Sequence, residues 1–100
     1  MSRYFDFDDN KAAKNAVKHG VTFSDAISTF DDELGLDVYD HAHSTREDRW
    51  FRVGLSASGV VLVTVYTEEE DGRNTVIRII TSRRAKPDEV ERYLRFRGKA

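Results

Sequence analysis

The 100-residue chain has no cysteine, which excludes a disulfide framework, a thiolate zinc site and a cysteine nucleophile. Its one proline, Pro87, leaves no proline-rich linker to divide it, and its six glycines fall singly between periodic segments. No internal repeat is present. No run of about 18 apolar residues could span a bilayer, and the opening MSRYFDFDDN lacks the apolar stretch of a secretory signal. These absences predict a single domain over residues 1–100 that is soluble, cytoplasmic and has no membrane partner.

What is present suffices for a core. The chain is 39% hydrophobic and 11% aromatic, too rich in core-forming side chains for a disordered segment. The net charge of −2 argues against an anionic partner only as an average. Residues 1–72 carry 7 Lys and Arg against 15 Asp and Glu, whereas residues 73–100 carry 9 against 3. Screening acts over about 8 Å, so a local basic surface can hold phosphates while acidic patches stay out of range. The C-terminal quarter is where an anionic ligand is to be sought.

Tyr4–Phe7 reads as a short strand, followed by Asp8 as N-cap and a helix over Asn10–His19 with Ala12, Ala13, Ala16 and Val17 on one face. Gly20 suits a left-handed C-cap. Thr22 opens a second short helix with Phe23, Ala26, Ile27 and Phe30 at i, i+3, i+4, i+7. After the acidic turn Asp31-Asp32-Glu33 the period becomes two, giving strands near Leu34–Tyr39, Arg49–Leu55, Val60–Thr67 and Thr75–Thr81. Ser58-Gly59 is a tight hairpin turn, and Glu68–Asn74 is expected as a longer one. Pro87, Asp88 and Glu89 suit the first turn of a last helix whose apolar stripe is Val90, Tyr93 and Leu94. The expectation is an α+β domain: an antiparallel sheet of four to five strands with helices packed on one face.

Arg78 alternates with Ile77 and Ile79, so it faces away from the helices if those isoleucines are core. Arg83, Arg84 and Lys86 follow at the strand end, and the last helix adds free N–H groups. Guanidinium groups bind phosphate oxygens bidentately and stay charged, which is what a developing phosphorane dianion requires. Glu89 and Tyr93, four apart on that helix, could project toward the same groove. The alternative is a solvated cationic strand end with surface ion pairs. His19 stands where a helix dipole favours its cation, a capping or a catalytic position. Lys11, Lys14 and Lys18 form an i, i+3, i+7 stripe, either plain surface or an RNA track. His41 and His43 alternate on one strand face but lack a third ligand, so no metal is expected. Trp50 and Tyr66 could stack on bases but read more readily as core or partner-interface residues.

The series Phe5-Asp6-Phe7-Asp8, Lys11, Asn15, Lys18-His19-Gly20-Val21-Thr22-Phe23, Ala26 and Phe30-Asp31-Asp32 resembles the opening of the BrnT toxins. The second half agrees in Glu47-Asp48-Arg49, Val53-Gly54, Val60–Tyr66, Arg78-Ile79-Ile80-Thr81-Ser82-Arg83-Arg84-Ala85, Glu89 and Tyr93. The resemblance runs from about Tyr4 to about Phe96. It implies a RelE-like fold and a metal-independent endoribonuclease that blocks translation, the toxin of a type II toxin–antitoxin system, with no cofactor. The partner it implies is a BrnA-like ribbon-helix-helix antitoxin, forming a heterotetramer through antitoxin dimerisation and reaching promoter DNA indirectly. By position, Arg78, Arg83 and Glu89 match the family's active-site residues, with Tyr93 and His19 beside them. Lys11, Lys14, Lys18, Arg84 and Lys86 would bind RNA. Ser82 stands where the family often has alanine, and Lys86-Pro87-Asp88 replaces a more basic stretch.

Cleavage needs a base for the 2′-OH, an acid for the leaving 5′-oxygen, and cations for the phosphate. Glu89 is the expected base, Arg78 and Arg83 the cations, and Tyr93 or His19 the acid or a positioning group. Two other readings remain: a degenerate toxin-like module that only binds the antitoxin and co-represses its promoter, and a nucleic-acid-binding domain without toxin ancestry.

Overall fold

Elements form where the capping signals stand. In the computed structural model, which describes residues 2–97, the order is β1 (Ser2–Asp6), α1 (Asp9–His19), α2 (Phe23–Ser28), a 3₁₀ turn (Thr29–Asp31), β2 (Leu36–Tyr39), β3 (Arg49–Leu55), β4 (Val61–Asp71), β5 (Asn74–Arg84) and α3 (Pro87–Arg97). Asp8 accepts the Lys11 N–H at 3.0 Å and Thr22 that of Asp25 at 3.1 Å, the two predicted N-caps. Gly20 takes φ 68°, where a side chain would be strained, and closes α1.

The five strands form one sheet in the order β1-β5-β4-β3-β2. Neighbours run antiparallel except β1, which pairs parallel with Asn74–Arg78 of β5. The β4–β5 ladder extends to Asp71↔Asn74, so the expected long turn over Glu68–Asn74 is a two-residue hairpin at Gly72-Arg73, with Gly72 at φ 63°. The run Glu68–Asp71 lacks the apolar alternation that marks a strand. Cross-strand pairing with β5 carries it instead.

Helices α1 and α2 pack on β5. The core joins Phe23, Ala26, Phe30, Tyr66, Ile77 and Ile79, with Phe5, Ala12, Ile27 and Trp50 against it. Phe30 is the centre of a ring chain, 5.1 Å from both Phe5 and Tyr66. Tyr66 is therefore a core side chain, and Trp50 packs half-buried against the core.

The α1 face differs from the expected one. Val17 is 89% exposed and Ala13 is exposed, because the helix is rotated to bury Asn15. β1 stops pairing at Arg78, leaving the β5 edge open beyond it. Asn15 fills that gap: its Oδ1 accepts from the Ser82 N–H at 3.0 Å, and its Nδ2 donates to the Ser82 carbonyl at 2.8 Å and to that of Val21 at 2.9 Å. A side-chain amide thus stands in for the missing strand.

Arg52, also buried, donates to the Thr29 and Asp32 carbonyls and to Asp37 at 2.6–2.9 Å while lying over the Phe30 ring. This ties the 3₁₀ turn to β2 and β3. On α3, Tyr93 is buried but Leu94 is 55% exposed, so the expected stripe narrows to Tyr93 and half-buried Val90.

Candidate active site

Regular alternation over five residues would send Arg78 and Arg83 to opposite faces of β5. A bulge prevents this. The register slips at Val65/Tyr66, so Ile80 is an extra residue, and Arg78 pairs with Thr67 while Arg83 pairs with Val63. Thr67 and Val63 lie four apart on β4, hence on one face and about 13 Å from each other. Both arginines therefore share the face turned away from α1 and α2.

Arg83 and Glu89 meet directly, Nη1 to Oε1 at 2.7 Å and Nη2 to Oε2 at 2.9 Å. Glu89 also accepts the Lys86 N–H at 2.7 Å, the returning half of a capping box that starts α3. The Arg83 fork, aided by Lys86, outweighs partial burial and pulls the Glu89 pKa down to about 2. The same bond raises that of Arg83. Arg78 donates through Nε and Nη2 to Asp6 at 3.2 and 3.1 Å, with both side chains about half exposed. Such a pair is weak and leaves the guanidinium open to an incoming anion.

Beside Arg83 the sheet face forms a groove of about 250 Å³, with Leu36, Val38, Phe51, Val53 and Val63 around it and Arg83, Glu89 and Arg92 joining them. Arg78, His19 and Tyr93 stand outside this cavity. Tyr93 is anchored at the base of α3, donating to Asp32 and accepting from Arg97. Burial raises its pKa, and the Asp32 carboxylate raises it further. Asp32 is held below the usual carboxylate range despite burial, because the N–H groups of Leu55 and Leu34 and the Tyr93 hydroxyl all bond to it.

His19 lies apart, in a depression of about 270 Å³ along the β5 edge together with Lys11, Lys14, Lys18, Asn15, Ile80 and Thr81. The lysine stripe and His19 are thus one basic surface. Arg84 pairs with Leu62 and faces the α2 side instead, beside Thr22 and Ser58. Lys86 is exposed at the start of α3.

The two remaining histidines sit in a loop after β2, not on a strand face. His43 Nδ1 is 3.0 Å from Asp40 and His41 stacks edge-on against Tyr39. Among the described residues no group of three or more His, Cys, Asp or Glu could hold a metal ion. No helix among them is long and apolar enough to cross a membrane.

Sequence reasoning missed Arg49, Phe51 and Arg92 as site candidates. Arg49 pairs with Thr67, which also pairs with Arg78, so Arg49 and Arg78 flank one β4 residue on the groove face. The alternation of Arg49, Phe51 and Val53 against Trp50, Arg52 and Gly54 was the available signal, but both sets contain apolar and charged residues.

The architecture is that of a known toxin fold. The crystal structure of the Brucella abortus ribonuclease toxin BrnT matches it with a TM-score of 0.61 at 18% identity, over 86% of this chain and 99% of that one. The family model for the ribonuclease toxin BrnT of type II toxin–antitoxin systems matches residues 7–89, so the chain belongs to the BrnT family. No curated protein matches the chain.

Proposed function

We propose that this protein is a metal-independent endoribonuclease that cleaves RNA to inhibit translation and is neutralised by a BrnA-like ribbon-helix-helix antitoxin. Antitoxin dimerisation would make the complex a heterotetramer and carry it to promoter DNA. The observation that carries the reading is the bulge at Ile80, which puts Arg78 and Arg83 on one open sheet face, where both guanidinium groups can reach the backbone of one RNA strand. Lys11, Lys14, Lys18 and His19 extend the basic surface along the β5 edge, with Arg84 and Lys86 as outer contacts.

In this reading the Arg83–Glu89 pair is a resting state. A carboxylate with a pKa of about 2 is a feeble base at neutral pH. When the scissile phosphate takes the Arg83 fork, Glu89 loses the largest cause of its depression and regains basicity. It then accepts the 2′-OH proton as the oxygen attacks phosphorus. Arg78 and Arg83 hold the extra charge, and the 5′-oxygen leaves with a proton supplied by water in the open groove. Tyr93 acts as a positioning residue that keeps α3, and with it Glu89, over the sheet.

The test is cleavage of a defined RNA by the purified protein with and without EDTA. Cleavage that persists in EDTA and falls about 10²-fold or more in Arg83→Ala is expected. Loss in EDTA with rescue by a divalent ion overturns the metal-independent mechanism. Intact RNA under all conditions favours the degenerate module, a reading to which the already occupied Arg83 lends weight.

A further inference from the structure

The groove beside Arg83 has an apolar floor that the phosphate chemistry leaves unused. Phe51 and Val53 of β3 and Val63 of β4 form it, and Val38 on the edge strand is 54% exposed. Eight other rings of the described chain engage one another in close pairs, but Phe51 stacks on none of them. An aromatic ring left unpartnered on an open sheet face, beside a phosphate-binding arginine, is the arrangement that single-stranded nucleic acids use for base stacking.

From this geometry we infer that the groove is a nucleobase subsite, in which one base of the RNA lies on Phe51 over Val53 and Val63 while its phosphate engages Arg83. The inference rests on the ribonuclease reading above and adds where a base is held. The cavity, about 250 Å³, is below the roughly 300 Å³ at which sites for larger organic ligands begin, which suits one planar ring. Its charge also fits. Arg92 at the rim has no ion-pair partner among the described residues, and with Arg83 it sets two cations against the one acid there, Glu89. An apolar floor with a cationic rim complements flat bases on a polyanionic backbone better than it does an acidic peptide, which has no ring to stack. Arg92 is placed to donate to a base carbonyl, which would make it the group that reads the base.

The experiment uses a trinucleotide with 2′-deoxyribose at its first two positions, so that neither phosphodiester has a 2′-OH to attack it, and the same molecule without the central base. Binding is followed by calorimetry and by the methyl NMR signals of Val38, Val53 and Val63. The intact trinucleotide is expected to shift those methyls and to bind about 10-fold or more tightly than the abasic one. Phe51→Leu, which keeps the apolar bulk and lacks the ring, should erase that difference while leaving abasic affinity and melting temperature unchanged. Equal affinity of the two ligands for the wild type, or an undiminished difference in Phe51→Leu, overturns the subsite. Methyl shifts that arise with added antitoxin and not with the trinucleotide also overturn it, and assign the face to protein docking. Because the ligand is never cleaved, failure to cleave RNA with base discrimination intact would sink the ribonuclease reading alone. Cleavage without discrimination would sink the subsite alone.

Discussion

Replacing Glu89 by glutamine isolates one interaction. The amide still accepts the Lys86 N–H, so the capping box survives, while the charge facing Arg83 is removed. An unfolded glutamate titrates at about 4.3. Against a folded value of about 2, the pair is worth up to about 3 kcal/mol at neutral pH. Arg83 is 35% and Glu89 25% exposed, so solvent screening reduces this to about 1–2 kcal/mol. For a domain of this size, that is a fall of about 5–10 °C in melting temperature for Glu89→Gln at pH 7. The pH dependence carries the sign. A depressed carboxylate pKa stabilises fully above the unfolded value and loses its contribution as pH falls toward the folded one. The gap between wild type and variant should therefore hold from pH 7 to about 5, shrink by more than half at about pH 3, and close near pH 2. Paired thermal melts across that range measure it. A gap that is absent at pH 7, or as large at pH 3 as at pH 7, refutes the reasoning and with it the resting-state role given to the pair.

Three further outcomes are expected. Asn15→Ala should lower stability by about 2–4 kcal/mol in urea unfolding, because it strips the Ser82 backbone of its partners in a buried site; a loss below about 1 kcal/mol would show that water replaces the amide. Arg78→Ala should melt within a few degrees of wild type, since its Asp6 pair is half exposed, yet lose about 10²- to 10³-fold in cleavage; a melting temperature many degrees lower would make Arg78 structural. Tyr93→Phe should cost about 1–3 kcal/mol and speed amide exchange across Pro87–Arg97 selectively, because the hydroxyl bond to Asp32 ties α3 to the loop before β2; unchanged exchange there would show that ring burial alone holds the helix.

Elements and their caps are legible in the residues alone. Asp8, Thr22 and Gly20 are local signals whose partners lie within a turn, and all three stand where they were expected. The period-two segments likewise marked all the later strands, and the Lys-His-Gly and Arg-Ile-Ile strings marked the family. Which side chains meet depends on long-range packing. The β5 bulge is invisible in a string where Ile79 and Ile80 are equally apolar, yet it brings Arg83 to the face of Arg78. Asn15, outside the predicted Ala12, Ala13, Ala16 and Val17 face, is the buried clamp because β1 pairs no further along β5 than Arg78. Glu89 was legible as a helix-start acid, but its bond to Arg83 depends on the angle at which α3 leaves the sheet. Tyr93 and His19, near Glu89 and the lysines in sequence, were separated from the groove by the same packing. Local hydrogen bonding is encoded by neighbours within a few residues. Register and facing depend on pairings between distant segments, whose free energy is shared over the whole sheet and cannot be assigned from either strand alone.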